Sequence, residues 1–101
     1  MLAEFSVVPI GEGASVSRYV AECLRIVDGS GLDYRLNPMG TVMEGGYDEV
    51  MAVIKQCHMA VVAMCPRVIT TVKIDDRVGA KGMIEGKVRS VEEKIGRELK
   101  S

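Results

Sequence analysis

Tryptophan is absent from this chain, and phenylalanine and histidine occur once each, as Phe5 and His58. A sheet that reads RNA by stacking needs exposed aromatic rings on its two central strands. Here Phe5 stands alone on the first strand-like segment, and Arg67 to Asp76 has no aromatic residue, so nucleic acid is not an expected partner. Charge of one sign is also lacking: 13 basic against 14 acidic side chains leave a formal net charge of -1, too little field to recruit polyanions or an anionic membrane. No apolar run approaches the roughly 20 residues that a spanning helix requires; Met59 to Cys65 is among the longest. The first nine residues carry Glu4 and no basic cluster, unlike a secretory leader. Three cysteines, Cys23, Cys57 and Cys65, form no C-x-x-C pair. Cys57 and His58 are adjacent on a helical segment, about 100° apart, so four zinc ligands cannot be assembled. Neither a nucleophile–base pair nor a metal set emerges. The expectation is a cytoplasmic protein with reduced thiols, no catalytic residues and no cofactor.

What is present fits one domain. A chain of 101 residues with 48% apolar content supplies a single hydrophobic core, taken here to span 1–101. Met1 to Pro9 alternates Ala3, Phe5 and Val7 with Glu4, Ser6 and Val8, the period of a strand. After Gly11-Glu12-Gly13, Ser15 is placed to cap a helix with apolar positions Val16, Val20, Cys23, Leu24 and Val27, closed by Gly29 and Gly31. Leu32 to Asn37 and Thr41 to Glu44 read as a hairpin around Pro38-Met39-Gly40. From Tyr47, the residues Val50, Met51, Ile54, Cys57, His58, Val61 and Met64 share a broad helical face that Pro66 brings to an end. Arg67 to Asp76 alternates as a strand. A last amphipathic helix runs through Ile84, Val88, Val91, Ile95 and Leu99, with Glu85/Arg89 and Glu93/Arg97 at i,i+4.

The order β-α-β-β-α-β followed by a helix predicts an α+β, ferredoxin-like split βαβ sandwich. Two helices then cover one face of the sheet. If Phe5 and Val7 lie beneath them, Leu2, Val8 and Ile69 point together from the other face. Self-association is expected to bury that group.

Several residues are candidates for ligand contact. The Gly11 to Ser15 turn could hold an anion at a helix N-terminus, although it lacks a P-loop lysine. Glu44 ends one strand and Asp75, followed by Arg77, ends another; their carboxylates could bind an amine or cation if the register brings them to one side. An internal salt bridge or a subunit contact is the simpler role for Asp75 and Arg77. Tyr34 could stack on a flat ring, and Met39 and Met43 could wall it.

Four segments, Ser6 to Gly11, Ser15 to Val20, Ser30 to Tyr34 with Asn37 to Gly45, and Val72 to Arg77, closely resemble the small thiamine-binding protein family. The Pro38-Met39-Gly40-Thr41 run followed by Glu44-Gly45 is the most specific part. The resemblance spans nearly the whole chain. It implies a ferredoxin-like, cytoplasmic homotetramer that binds thiamine or its hydroxymethylpyrimidine portion without turnover. On that basis the carboxylate would be Glu44 or Asp75, the hydroxyl Thr41 or Ser17, the walls Tyr34, Met39 and Met43, and Arg77 would orient a carboxylate. The alternative is a structural or regulatory homo-oligomer that binds another small ligand or an anion.

Overall fold

Alternation along the first strand decides how the sheet is buried. A computed structural model describes residues 1–101 as β1 (Leu2–Pro9), α1 (Ser17–Gly29), β2 (Asp33–Asn37), β3 (Gly40–Glu44), α2 (Tyr47–Val62), β4 (Val68–Asp75) and α3 (Met83–Ile95). Ala3, Phe5, Val7 and Pro9 are buried, while Glu4 and Val8 are exposed. The four strands lie in the order β2-β3-β1-β4 and every neighbouring pair is antiparallel, the ferredoxin-like α+β arrangement. Helices α1 and α2 pack on the Phe5 face, where Val27, Met43, Val50, Cys57 and Val61 are almost wholly enclosed. Their burial supplies the apolar free energy that holds the two layers together.

Three local expectations are revised. Ser15 does not cap α1: Val16 occupies the N-cap position and the Ser15 hydroxyl meets only that of Ser17, at 3.4 Å. Along α2, Val53 is buried as well, because the helix packs on both α1 and the sheet and buries a wider arc than one stripe. Helix α3 stops at Ile95, since Gly96 adopts φ +84, a left-handed C-cap suited to glycine. Leu99 and Arg97 therefore lie outside it. The Leu99 N–H donates to Glu92 Oε2 at 2.6 Å, and Glu85–Arg89 pairs at 3.7 Å whereas Glu93 and Arg97 do not pair.

Helix α3 is attached through its start. The Glu44 carboxylate accepts the Met83 N–H at 2.8 and 2.9 Å and the Ile84 N–H at 3.2 Å. These are backbone donors that the first turn of a helix cannot pair internally, and a negative charge there opposes the positive end of the helix dipole. The helix buries no residue of its own and packs chiefly against β3. Its projection shows in a radius of gyration of 14.9 Å, against about 13 Å for a compact chain of this length.

Replacing Glu44 by Ala is expected to cost about 1 kcal/mol of stability and to speed amide exchange at Met83 and Ile84, leaving β1 and β4 protected. Urea denaturation and hydrogen-exchange NMR measure both; unchanged exchange at the two amides would dismiss the cap.

Candidate functional site

The strands are of unequal length, and the difference opens a cavity. β1 and β4 have eight residues each and pair from Leu2↔Asp75 to Pro9↔Val68. β3 has five, and its pairing with β1 stops at Phe5↔Thr41 because the chain turns at Pro38 and Met39. The rest of the β1 edge faces a cavity of about 270 Å³, closed on one side by α1 and on another by the β2–β3 turn. Val16, Val20 and Leu24, spaced i,i+4 along α1, line it and are only half-buried, whereas the neighbouring stripe of Tyr19, Cys23 and Val27 is buried. Phe5, Val7, Leu36 and Met39 complete the apolar wall; Ser6, Asn37 and Thr41 are its polar side chains. Met39 is 91% exposed at the mouth.

Backbone direction gives this cavity a polar edge. At one end of β1 the Ile10 N–H donates to Arg67 O, on the β4 side, at 2.8 Å; at the other, Met1 O accepts from Gly45 N, on the β3 side, at 3.1 Å. Peptide groups alternate sides along a strand, so Ala3, Phe5 and Val7 turn their N–H and C=O toward β3. The first two have partners there. Val7 has none, since β3 begins at Gly40 and no bond links Val7 to the turn. A donor and an acceptor from one residue thus stand side by side on an apolar cavity wall, and such groups carry a standing demand for partners.

The loop before α1 is held to the helix beside this cavity. The Tyr19 hydroxyl donates to Glu12 Oε1 at 3.0 Å and accepts from Arg18 Nη2 at 2.9 Å, with the Arg18 guanidinium 4.9 Å from the Tyr19 ring centre. Gly11 and Gly13 take φ +84 and +90, which a side-chain-bearing residue rarely adopts.

The residues named from the sequence fall in several places, and Tyr34 and Glu44 border one open hollow of about 280 Å³. Met39 and Thr41 line the cavity, and Thr41 is buried. Ser17 is exposed on the first turn of α1, and Met43 is sealed in the core. Tyr34 is half-exposed, and its hydroxyl donates to Asp28 at 2.8 Å, a bond that raises its pKa. Glu44 and Asp75 do come together, because both pair across Leu2. With Arg77, Met83 and Lys87 they enclose only about 40 Å³, enough for water. Glu44 is engaged with α3 and Asp75 with Lys87. Val7, Val16, Val20 and Leu24 were not among the sequence candidates: an apolar residue facing a cavity has the same spacing as one facing a core.

Comparison with known proteins follows the same outline. A family model described as thiamine-binding protein matches residues 3–92. UPF0045 protein MJ1052 of Methanocaldococcus jannaschii is 38% identical over 93 residues, 92% of this chain and 93% of its own length. Its crystal structure superposes with a TM-score of 0.85 over 91% of this chain and 95% of that one. UPF0045 protein YqgV of Bacillus subtilis is 38% identical over 96 residues, 89% of this chain and 92% of the relative. A Thermotoga maritima protein described as a candidate thiamine biosynthesis/salvage protein shares the fold, with a TM-score of 0.78 at 23% identity over 89% of this chain and 96% of that one.

At the α3 corner, the hydrogen bond and charge of Lys87 hold the Asp75 carboxyl below the usual range, with Arg77 and the N-terminus adding to the effect. A depressed folded-state pKa stabilises above the unfolded value and is lost as pH falls through the folded one. Carboxyl NMR is expected to place the Asp75 midpoint below the model-peptide value of about 3.9, and Lys87→Met to move it back up.

Proposed function

Because this chain belongs to the thiamine-binding protein family, we propose that it is a non-catalytic binding protein whose cavity takes the aminopyrimidine ring of thiamine or of hydroxymethylpyrimidine. One observation carries the reading: the unpaired N–H and C=O of Val7 face an apolar cavity. An aminopyrimidine offers a ring nitrogen that accepts beside an amino group that donates, the complement of that backbone pair. Flat rings suit walls of Phe5, Val20, Leu24 and Leu36, and Thr41 or Asn37 can meet a hydroxymethyl group. The volume favours the ring over the whole vitamin, since about 270 Å³ falls under the roughly 300 Å³ at which ligand pockets usually begin. The thiazolium would then lie toward the mouth at Met39, whose thioether can adapt to it. The three buried free thiols fit a reducing cytoplasm.

Self-association completes this reading. Val8 and Ile69 on the open sheet face are 39% and 48% exposed, and Val91 and Ile95 on α3 are 49% and 56% exposed. An apolar helix stripe with nothing packed on it is best explained by a second copy. A tetramer is the assembly that the family resemblance implies.

Calorimetry is expected to show binding of hydroxymethylpyrimidine and thiamine, with oxythiamine, whose amino group is replaced by oxygen, weaker by about tenfold or more, the effect of one mispaired buried hydrogen bond. Glu44→Gln should leave affinity unchanged, because Glu44 lies roughly 17 Å along β1 from Val7. Equal binding of oxythiamine together with loss on Glu44→Gln would move the site to the α3 corner. Sedimentation at micromolar concentration is expected to show an oligomer that Val91→Asp dissociates; a folded wild-type monomer would refute the association.

A further inference from the structure

Two of the three thiols meet across the helix pair. The Cys23 thiol on α1 points at the Cys57 carbonyl on α2, 3.9 Å away, and the Cys57 thiol points at the Cys23 carbonyl, 3.5 Å away. Two side chains that each reach the other's backbone stand at one level of the packed helices. A disulfide requires two cysteines to be neighbours in this way. Access separates them: Cys23, 4% exposed, is part of the cavity wall, whereas Cys57 is 0% exposed. Cys65 is remote from both, its thiol directed to Val61 O at 3.4 Å and Arg67 O at 3.7 Å beyond the end of α2.

We propose that Cys23 and Cys57 form a peroxide-oxidisable dithiol, in which Cys23 is attacked through the cavity and Cys57 resolves it to a disulfide joining α1 to α2.

The chemistry balances with hydrogen peroxide as the oxidant. The Cys23 thiolate attacks one peroxide oxygen; an S–O bond forms, the O–O bond breaks, and the departing hydroxide takes up the thiol proton as water, leaving a sulfenic acid. The Cys57 sulfur then attacks the Cys23 sulfur. The S–S bond forms, the S–O bond breaks, and the hydroxide that leaves collects the Cys57 proton as a second water. Two thiols lose two electrons and one peroxide gains them. The order of events agrees with the surroundings. The neighbouring Cys57 side chain lowers the pKa of Cys23, outweighing burial and the charge of Glu22, which raise it. The neighbouring Cys23 side chain is the main cause that holds the Cys57 pKa up, followed by burial. The thiolate, as the nucleophile, is thus favoured on the cysteine that borders the cavity.

The proposal uses the cavity of the proposed ligand site but needs only that it admit peroxide, so failure of thiamine to bind would leave it standing. The folded wild-type protein is treated with hydrogen peroxide, denatured, alkylated and mapped by mass spectrometry. The expected result is a loss of two hydrogens located in a Cys23–Cys57 linked peptide, reversed by dithiothreitol, with Cys65 alkylated throughout. The oxidised form should melt higher by roughly 10 °C, as a cross-link of this span constrains the unfolded chain. Cys57→Ser should stop at a Cys23 sulfenic acid that dimedone traps; if that variant does not fold, the wild-type map decides alone. Three free thiols after treatment, or a bridge to Cys65, would overturn the proposal.

Discussion

The termination of the β1–β3 ladder at Phe5↔Thr41 is the constraint on which the rest of the site depends. Hydrogen bonding along β1 is complete on the β4 side through Pro9, which keeps the strand straight and in place. On the β3 side it ends early because Pro38 and Met39 turn the chain back. A strand held by one neighbour and abandoned by the other must present unpaired peptide groups along the abandoned edge. Here that edge faces inward under α1, so the groups of Val7 meet a cavity lined mainly by apolar side chains. In such surroundings a ligand that pairs them gains more than it would at an exposed edge, where water already serves.

The same geometry explains why α1 has two apolar stripes with different fates. Tyr19, Cys23 and Val27 find partners in α2 and the sheet and are buried; Val16, Val20 and Leu24 look over the missing length of β3 and stay half-covered. Cys23 belongs to both settings, buried against Cys57 and still part of the cavity wall. Its side chain thus lies between the cavity and the α1–α2 contact.

At the other end of the strands, charge takes the place of apolar packing. The row Asp33, Glu44, Leu2 and Asp75 runs across the open face, and α3 is tied to it by Glu44 capping its first turn and by Lys87 on Asp75. These contacts secure the start of α3 and leave its later stripe at Val91 and Ile95 without cover. The carboxylates that look most available in the chain are therefore the ones most occupied with structure.

Period and punctuation carried the fold into view from the chain alone. Alternation in Leu2–Pro9 and Val68–Asp75, the helical spacing of Val50, Ile54, Cys57 and Val61, and breaks at Gly45-Gly46 and Pro66 are local properties, and each reappears in the observed elements. The family resemblance rested on short local runs for the same reason. What tertiary structure alone decided was which groups remain unspent. Whether Glu44 is free or capping depends on where α3, nearly 40 residues later, comes to lie. That Val7 lacks a partner depends on the lengths of two strands brought together from distant parts of the chain. That Val20 lines a cavity while Cys23 meets Cys57 depends on a rotation of α1 that an apolar stripe does not specify, since hydrophobic spacing fixes the face of a helix only to within its width.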